Sequence, residues 1–401
     1  MVDSVHILFI VENNPVPRDR RVWSEAVAAR EFGARVSIIS PVETVKDVAL
    51  DRKAQDEGGV RVYRHPRPLE GRGVFGLLIE YLCALFWEIV LSIRIYIKEP
   101  FHVIHAANPP DLIFIIALLF KVFGVKYIFD HHDIAPENYV AKFGKRGLFY
   151  FLSLLMERLS FLTADVVIST NESYREIAVK RGRKSPQDVF VVRNGPDLAR
   201  IPQMSADQLL RNGFAYLVGY VGIIGQQEGI ENLLKTVRHI VDDLGRSDIG
   251  FIVVGTGTDW KRVVRLCNEM HLQRVVRFTG YVPDAELYRI LSSVDVCVNP
   301  EDGNEFTDRS TMIKIMEYMT FSKPVVQYYT KEGEVTAGGA AIYVRDNSPV
   351  TFAKALVELL EDRQRRETMG AIGRKRIEEC LCWERQKCEL MRAYDRVLGK
   401  S

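Results

Sequence analysis

Val5-His6-Ile7-Leu8-Phe9-Ile10-Val11, followed by Glu12 to Asp19, Arg20 to Phe32, Gly33 and Arg35-Val36-Ser37-Ile38-Ile39-Ser40, is the stretch that decides the fold. The first run is apolar throughout and of strand length, the second a polar loop carrying two prolines. Arg20 to Phe32 has helical periodicity and stops at Gly33, a residue that readily takes the left-handed turn after a helix. Arg35 to Ser40 is a second β-branched strand. Strand, loop, helix, glycine, strand is a βαβ unit. A strand without polar alternation is buried on both faces, so the sheet is parallel and covered by helices on each side.

The same alternation runs outward along the chain. Further strands are expected at Val60–Tyr63, Val103–Ala106, Tyr127–Asp130, Val166–Ser169 and Val189–Val192, with helical runs between most of them. Pro196 to Asn212 is polar and reads as a linker, after which the pattern restarts with the strand Ala215–Val221. Strands then recur at Phe251–Val254, Val275–Thr279, Val294–Asn299, Pro324–Gln327 and Ala341–Val344. The chain is therefore expected to hold two α/β, doubly wound domains, residues 1–198 and 199–382. A last helix from Trp383 to Leu398, within 383–401, is expected to pack back on the first domain. Ligands on such sheets bind at the carboxyl ends of the strands, and two facing domains would put the site between them.

Composition narrows the function. The 401 residues are 47% hydrophobic and 26% charged, as in a globular protein, and the net charge of +2 argues against nucleic-acid binding. Six scattered cysteines with no matching ligand pair argue against a zinc site, and free thiols suit a reducing cytoplasm. Met1-Val2-Asp3-Ser4 leads directly into the first strand, with no secretory signal. Leu77 to Ile97 is apolar but interrupted by Glu80, Glu88 and Arg94, which fall on one side of a helix. It is expected to be a long helix with a polar stripe, not a membrane span.

The densest chemistry lies in Asp308-Arg309-Ser310-Thr311-Met312-Ile313-Lys314-Ile315-Met316-Glu317-Tyr318-Met319. Asp308, Ser310 or Thr311 could each start a helix whose apolar face is Met312, Ile315, Met316 and Met319. A helix N-terminus favours phosphate, and Lys314 and Glu317 on another face add a cation for phosphate and a carboxylate for hydroxyls. The alternative is a solvated pair on an ordinary helix. Gly222-Ile223-Ile224-Gly225 and Gly255-Thr256-Gly257 follow strands and either admit a phosphate or simply make tight turns. The first βα loop has no glycine and the second strand no terminal acid, which argues against a dehydrogenase.

In the first domain Asp130-His131-His132-Asp133, with Pro136-Glu137, follows a strand, where one histidine is expected to face the site. Arg18-Asp19-Arg20-Arg21 either meets an anionic acceptor or forms a solvated helix start. Lys142 to Lys184 holds nine basic against four acidic residues, with Phe143, Phe149, Tyr150 and Phe151 interleaved. That suits either a peripheral contact with anionic lipid or a helix with a buried aromatic face.

These motifs resemble glycosyltransferase family 4. The likeness rests on Pro17-Arg18-Asp19-Arg20-Arg21 with Trp23-Ser24-Glu25-Ala26, the Asp130–Asp133 loop and Arg193-Asn194-Gly195-Pro196-Asp197. It continues through Phe278-Thr279-Gly280-Tyr281-Val282-Pro283, Asp308–Gln327 and Thr336-Ala337-Gly338. The resemblance implies a GT-B fold of two Rossmann-like domains and transfer of a sugar, with retention and without a metal, from a nucleotide sugar. The expected donor is UDP-linked, a substrate and not a cofactor, and the expected acceptor is a lipid-linked intermediate of surface polysaccharide at the inner face of the membrane. It implies that Glu317 binds donor ribose and His132 the transferred sugar. Tyr281 and Val282 would meet the base, and Gly222 and Gly225 would lie under the phosphates. Gln226, Gly255, Asp308, Arg309, Ser310 and Thr311 complete the expected donor side, with Arg18, Asp19, Asp133 and Glu137 on the acceptor side. Two departures stand out: Arg309 replaces a family glutamate, and Gln226-Gln227-Glu228 replaces the loop Arg and Lys. Lys314 and Arg309 are then the expected phosphate cations. An epimerase or a catalytically silent nucleotide-binding partner would share the architecture.

Overall fold

The computed structural model describes residues 5–42, 55–66, 73–202 and 204–399, with only the backbone of 55, 57 and 73–78. Met1–Ser4 lies outside this range. The chain forms two compact units, Met1–Asn194 with Gln386–Ser401, and Gly195–Arg385.

The first unit runs β1 (His6–Ile10), α1 (Arg20–Glu31), β2 (Arg35–Pro41), β3 (Gln55–Glu57), β4 (Val60–His65), α2 (Gly73–Lys98) and β5 (Val103–Ala107). It continues α3 (Phe114–Lys121), β6 (Lys126–His131), α4 (Ala135–Phe143), α5 (Leu148–Thr163), β7 (Val166–Ser169), α6 (Glu172–Lys180) and β8 (Val189–Val191). The sheet order is β3-β4-β2-β1-β5-β6-β7-β8, parallel except for the edge strand β3. β1 is buried at every residue, which is why its sequence shows no alternation. α1 starts where Asp19 accepts the Val22 N–H at 3.0 Å.

The second unit runs β9 (Tyr216–Val221), α7 (Ile230–Asp242), β10 (Ile249–Val254), α8 (Trp260–Glu269), β11 (Val276–Gly280), α9 (Asp284–Ser293) and β12 (Val296–Asn299). After it come α10 (Ile313–Thr320), β13 (Val325–Tyr328), α11 (Lys331–Ala337), β14 (Ala341–Val344), α12 (Pro349–Glu361) and α13 (Arg363–Arg376). Its order, β11-β10-β9-β12-β13-β14, reverses direction between β9 and β12. α14 (Trp383–Val397) belongs from Gln386 onward to the first unit, where the Tyr394 hydroxyl lies 2.8 Å from His105 Nδ1.

Each strand expected from sequence is present to within two residues, and β3 is an addition too short to show periodicity. Three expectations need correction. Pro196–Asn212 is no free linker: Leu210 is buried in the second unit's core and Arg211 forks onto both Asp295 oxygens at 2.8 and 2.9 Å. The helix expected to begin at Asp308, Ser310 or Thr311 begins at Ile313, and the Asp308 and Ser310 side chains serve other turns. Asp308 accepts the Lys331 N–H at 2.7 Å, and the Ser310 hydroxyl donates to Phe306 O at 2.8 Å.

The third correction concerns α2, whose three charges do not form an outer stripe. Glu88 is 1% exposed and points inward with Ala84, Ser92 and Ile95, whereas Arg94 is exposed. Burial, reinforced by Glu12, pushes the Glu88 carboxyl up to about 8, so it is carried inside as a neutral acid. No helix among the described residues is long and apolar enough to cross a membrane.

Candidate functional site

Open parallel sheets bind ligands outside the carboxyl ends of their strands where the strand order reverses. In the second unit that point lies beyond Val221 of β9 and Asn299 of β12. The Tyr318 hydroxyl fastens the two strand ends, accepting the Val221 N–H at 2.9 Å and lying 3.3 Å from both Val221 O and Val298 O.

Lys314 rises into this point from the first turn of α10. It is 8% exposed, and its Nζ donates to Glu228 Oε2 at 2.8 Å, to Glu301 Oε1, and to the Tyr220 hydroxyl at 3.3 Å. Nζ also lies 4.9 Å from the centre of the Tyr220 ring. Burial alone would lower the Lys314 pKa, but Glu301, Tyr220 and Glu228 together raise it well above the usual ammonium value. Burial raises Glu301 to about 7 against the pull of Lys314, while Glu228, also opposed by burial, is held low by Lys314. The ammonium therefore stays charged at neutral pH, and Glu301 is held above the usual carboxylate range.

The glycine loop closes over this cation. A Cβ on Gly222 would lie 3.4 Å from Lys314 Nζ, so the bare Cα leaves that approach open. Gly255, at φ +131°, must be glycine: a Cβ there would stand 1.8 Å from Gly222 O. Gly225, half-buried, precedes the single turn Gln226–Glu228, in which Gln226 is exposed. The loop lacks its own cation, and Lys314 delivers one to the same loop from α10 instead.

The remaining donor-side candidates divide. Glu317 is half-buried one turn after Lys314, and Met312, Ser310 and Thr311 lead into α10. Arg309 pairs with Glu305 at 3.3 Å. Tyr281 is 78% exposed just beyond β11, and Val282 packs against the core. Sequence reasoning missed Tyr220, Glu301 and the partner role of Glu228. A tyrosine two residues before Gly222 and an acid two residues after β12 were the signals available.

In the first unit, Asn108 beyond β5 shapes the loop after β6. Its Oδ1 accepts the His132 and Asp133 N–H groups at 2.8 and 3.0 Å, and its Nδ2 donates to Asp133 O at 2.7 Å. His131 is fully buried among the rings of Phe129, Phe161 and Tyr174 and is structural. His132 is the half-buried member of the pair, and burial lowers its pKa, so it is a neutral imidazole at pH 7. Burial raises the Asp133 pKa despite His132.

Arg21 is neither solvated nor available to an acceptor. It forks onto Asp130 at 2.9 and 2.7 Å and donates to Val192 O and Asn194 Oδ1 at 2.8 and 2.7 Å. Asp19 is occupied as the α1 cap, Arg18 is exposed, and Glu137 is held by Arg181 at 2.6 Å. Glu25, His105 and Asp130 bring three ligand atoms within 4.8 Å of one another. They do not fit a metal ion, because Arg21 already sets a buried positive charge against both Asp130 oxygens.

Two family models match the chain: Glycosyl transferase 4-like domain over residues 19–195 and Glycosyl transferases group 1 over residues 215–362. An uncharacterized glycosyltransferase of Methanocaldococcus jannaschii is 22% identical over 64% of this chain and 64% of its own length. The probable glycosyltransferase WbjE of Pseudomonas aeruginosa is 23% identical over 84% of this chain and 85% of its own. Among solved structures, sucrose-phosphate synthase from Thermosynechococcus elongatus superposes with a TM-score of 0.80 at 18% identity, covering 99% of this chain and 100% of that one. HepE of Anabaena, solved with UDP-glucose, gives 0.73 at 14% identity over 97% of this chain and 99% of its own. With both family models spread across its two Rossmann-like units, the chain belongs to glycosyltransferase family 4 and has the GT-B fold.

Proposed function

We propose that the protein transfers a sugar, with retention at the anomeric carbon and without a metal ion, from a UDP-sugar to a lipid-linked acceptor in polysaccharide synthesis. The observation that carries the donor reading is Lys314 Nζ beneath Gly222 at the β9/β12 reversal. HepE, of the same fold, was solved with UDP and with UDP-glucose, which supports the choice of nucleotide. The capsular polysaccharide glycosyltransferase CapM of Staphylococcus aureus is 22% identical over 64% of this chain, which supports the pathway.

In this reading the donor diphosphate lies on the loop Gly222–Gly225 and takes the place of the Glu228 carboxylate on Lys314. Glu228 has 27% of its side chain exposed and can turn outward. A proton on Glu301 then leaves the ammonium with net positive charge toward the phosphate. As the C1–O bond to the β-phosphate breaks, negative charge grows on the leaving oxygen and Lys314 stabilises it. The acceptor oxygen bonds to C1 from the same face and its proton passes to the leaving phosphate oxygen, so no protein nucleophile is required. Glu317 accepts hydrogen bonds from ribose hydroxyls, neutral His132 bonds a hydroxyl of the transferred sugar, and Tyr281 and Val282 flank the base. Arg18 and Asp133 serve the acceptor, at a peripheral contact with the inner membrane face.

The test is a thermal-shift panel of nucleotide sugars followed by transfer to a lipid-linked extract. A UDP-sugar should raise the melting temperature and be consumed only with acceptor. No shift with any member at millimolar concentration would overturn the donor reading. Isomerisation without acceptor would establish an epimerase, and binding without either reaction a silent partner.

A further inference from the structure

The first unit carries an outward apolar face that its core does not account for. On α2 the exposed residues Ile79, Leu82, Phe86, Val90, Ile93 and Ile97 recur at spacings of three and four and form one stripe. The buried side of the same helix holds Glu88 and Ser92. α5 repeats the inversion: Leu148, Phe151, Leu152, Leu155 and Leu162 are exposed, while Glu157 and Ser160 are buried. α3, packed against both helices, exposes Leu118 and Leu119, and Val122 and Phe123 just after it are exposed too. Rings of Tyr96 and Phe123, 5.6 Å apart, join α2 to α3.

Apolar groups line the outside as well as the inside, where Ala84, Ile95 and Phe161 share the buried faces with these polar groups, and a helix adapted to water keeps its outer face polar. A contiguous apolar face spread over three helices is the kind of surface that marks an interaction site. Its charge selects the occupant. Between residues 79 and 163 every exposed Asp, Glu, Lys or Arg is basic, and Arg94, Lys98, Lys142, Lys145, Arg146 and Arg158 lie on or beside these helices. Three carboxylates in that stretch are withdrawn, Glu157 and Glu137 onto Arg181 and Glu99 onto Arg35 and Arg61, while Glu80 is half-buried.

We infer that the α2–α3–α5 face seats in the surface of an anionic phospholipid bilayer, its apolar side chains entering the acyl boundary and its cations meeting headgroup phosphates. This shifts the contact expected from Lys142–Lys184 toward its first half, where the exposed apolar side chains lie; two of the later cations, Arg181 on two glutamates and Lys184 on Ala164 O at 2.6 Å, are used internally. The seating rests on the lipid-linked-acceptor reading for its purpose only. Because most of the attachment is apolar, it differs from adsorption by charge: it survives salt that screens surface electrostatics.

The experiment uses the full chain with vesicles of phosphatidylcholine alone or with phosphatidylglycerol, sedimented at low and high salt. Brominated acyl chains report on Trp87, which lies on α2 with 36% exposure. The expected result is binding favoured by phosphatidylglycerol and retained in high salt, with quenching that Trp87→Phe removes. Phe86→Glu with Ile93→Glu should weaken vesicle binding by at least about tenfold with melting temperature and UDP binding unchanged. Failure to bind any vesicle, or equal binding by the double variant, overturns the inference. So does a dimer in sedimentation equilibrium that the same variant dissociates, which would assign the face to a second copy. UDP binding and sugar transfer in detergent are measured separately, so a failed donor reading leaves this result intact, and the reverse.

Discussion

Replacing Lys314 by Met removes the one cation beneath the Gly222 loop and leaves Glu301 and Glu228 facing each other. Breaking a buried ion pair commonly costs about 3–5 kcal/mol, because a charge is left without a partner. Here both partners have an escape. Glu301, already near 7, takes a proton, and Glu228, with 27% of its side chain exposed, turns to water. The loss at pH 6 is therefore expected at about 1–2 kcal/mol, below the usual range. Above pH 7 the wild-type Glu301 is ionised while the variant's stays protonated, so the variant's fold alone gains a proton relative to its unfolded chain. The difference then grows by roughly 1.4 kcal/mol per pH unit. Urea melts at pH 6 and pH 8.5 measure it. Lys314→Met with Glu301→Gln should recover stability to within about 1 kcal/mol, yet bind UDP roughly 10–100-fold more weakly than wild type, the worth of one charge-assisted hydrogen bond. A pH-independent loss in the single variant would refute the electrostatic account. UDP affinity in the double variant within about threefold of wild type would refute the phosphate role.

Arg21→Met should cost about 3–5 kcal/mol in chemical denaturation, since Asp130 keeps a buried charge with no escape to solvent. Glu88 carries a proton in the fold up to about pH 8 but in the unfolded chain only to about 4.5, so its contribution falls as pH rises through that window. Glu88→Gln should therefore gain a few kcal/mol relative to wild type between pH 5 and 8 in paired urea melts, and a flat difference would contradict the assignment. Gly255→Ala forces a methyl against Gly222 O and should destabilise by about 1–3 kcal/mol while weakening UDP binding, read by calorimetry beside thermal melts.

The sheets were legible because central strands such as β1, β10 and β13 are buried on both faces, and a continuous Val/Ile/Leu run has few other homes. α10 shows the limit at the level of element ends. Its apolar face, Ile315, Met316 and Met319, is fully buried as the spacing implies, but the start depends on which turn claims Asp308 and Ser310, a tertiary choice. Lys314 was found from its spacing, whereas Glu301 lies thirteen residues earlier and reaches it only because β12 ends beside β9. The α2 stripe is not legible in sequence for a clear reason. A glutamate among apolar residues reads as a solvent-facing position, and only the packing reveals that burial has neutralised it.

The second unit is inserted into the first: one crossing lies at Asn194–Gly195 and the return at Arg385–Gln386, and His105 is completed by Tyr394 from the returning segment. During synthesis the inserted lobe can assemble as soon as residue 385 clears the ribosome. The surrounding lobe must wait, holding its sheet without the terminal helix that seals His105, Glu25 and Asp130. A released chain ending at residue 385 should thus hold a protease-resistant inserted unit and a digestible surrounding one, and any carboxyl-terminal fusion burdens the half of the molecule that was made first.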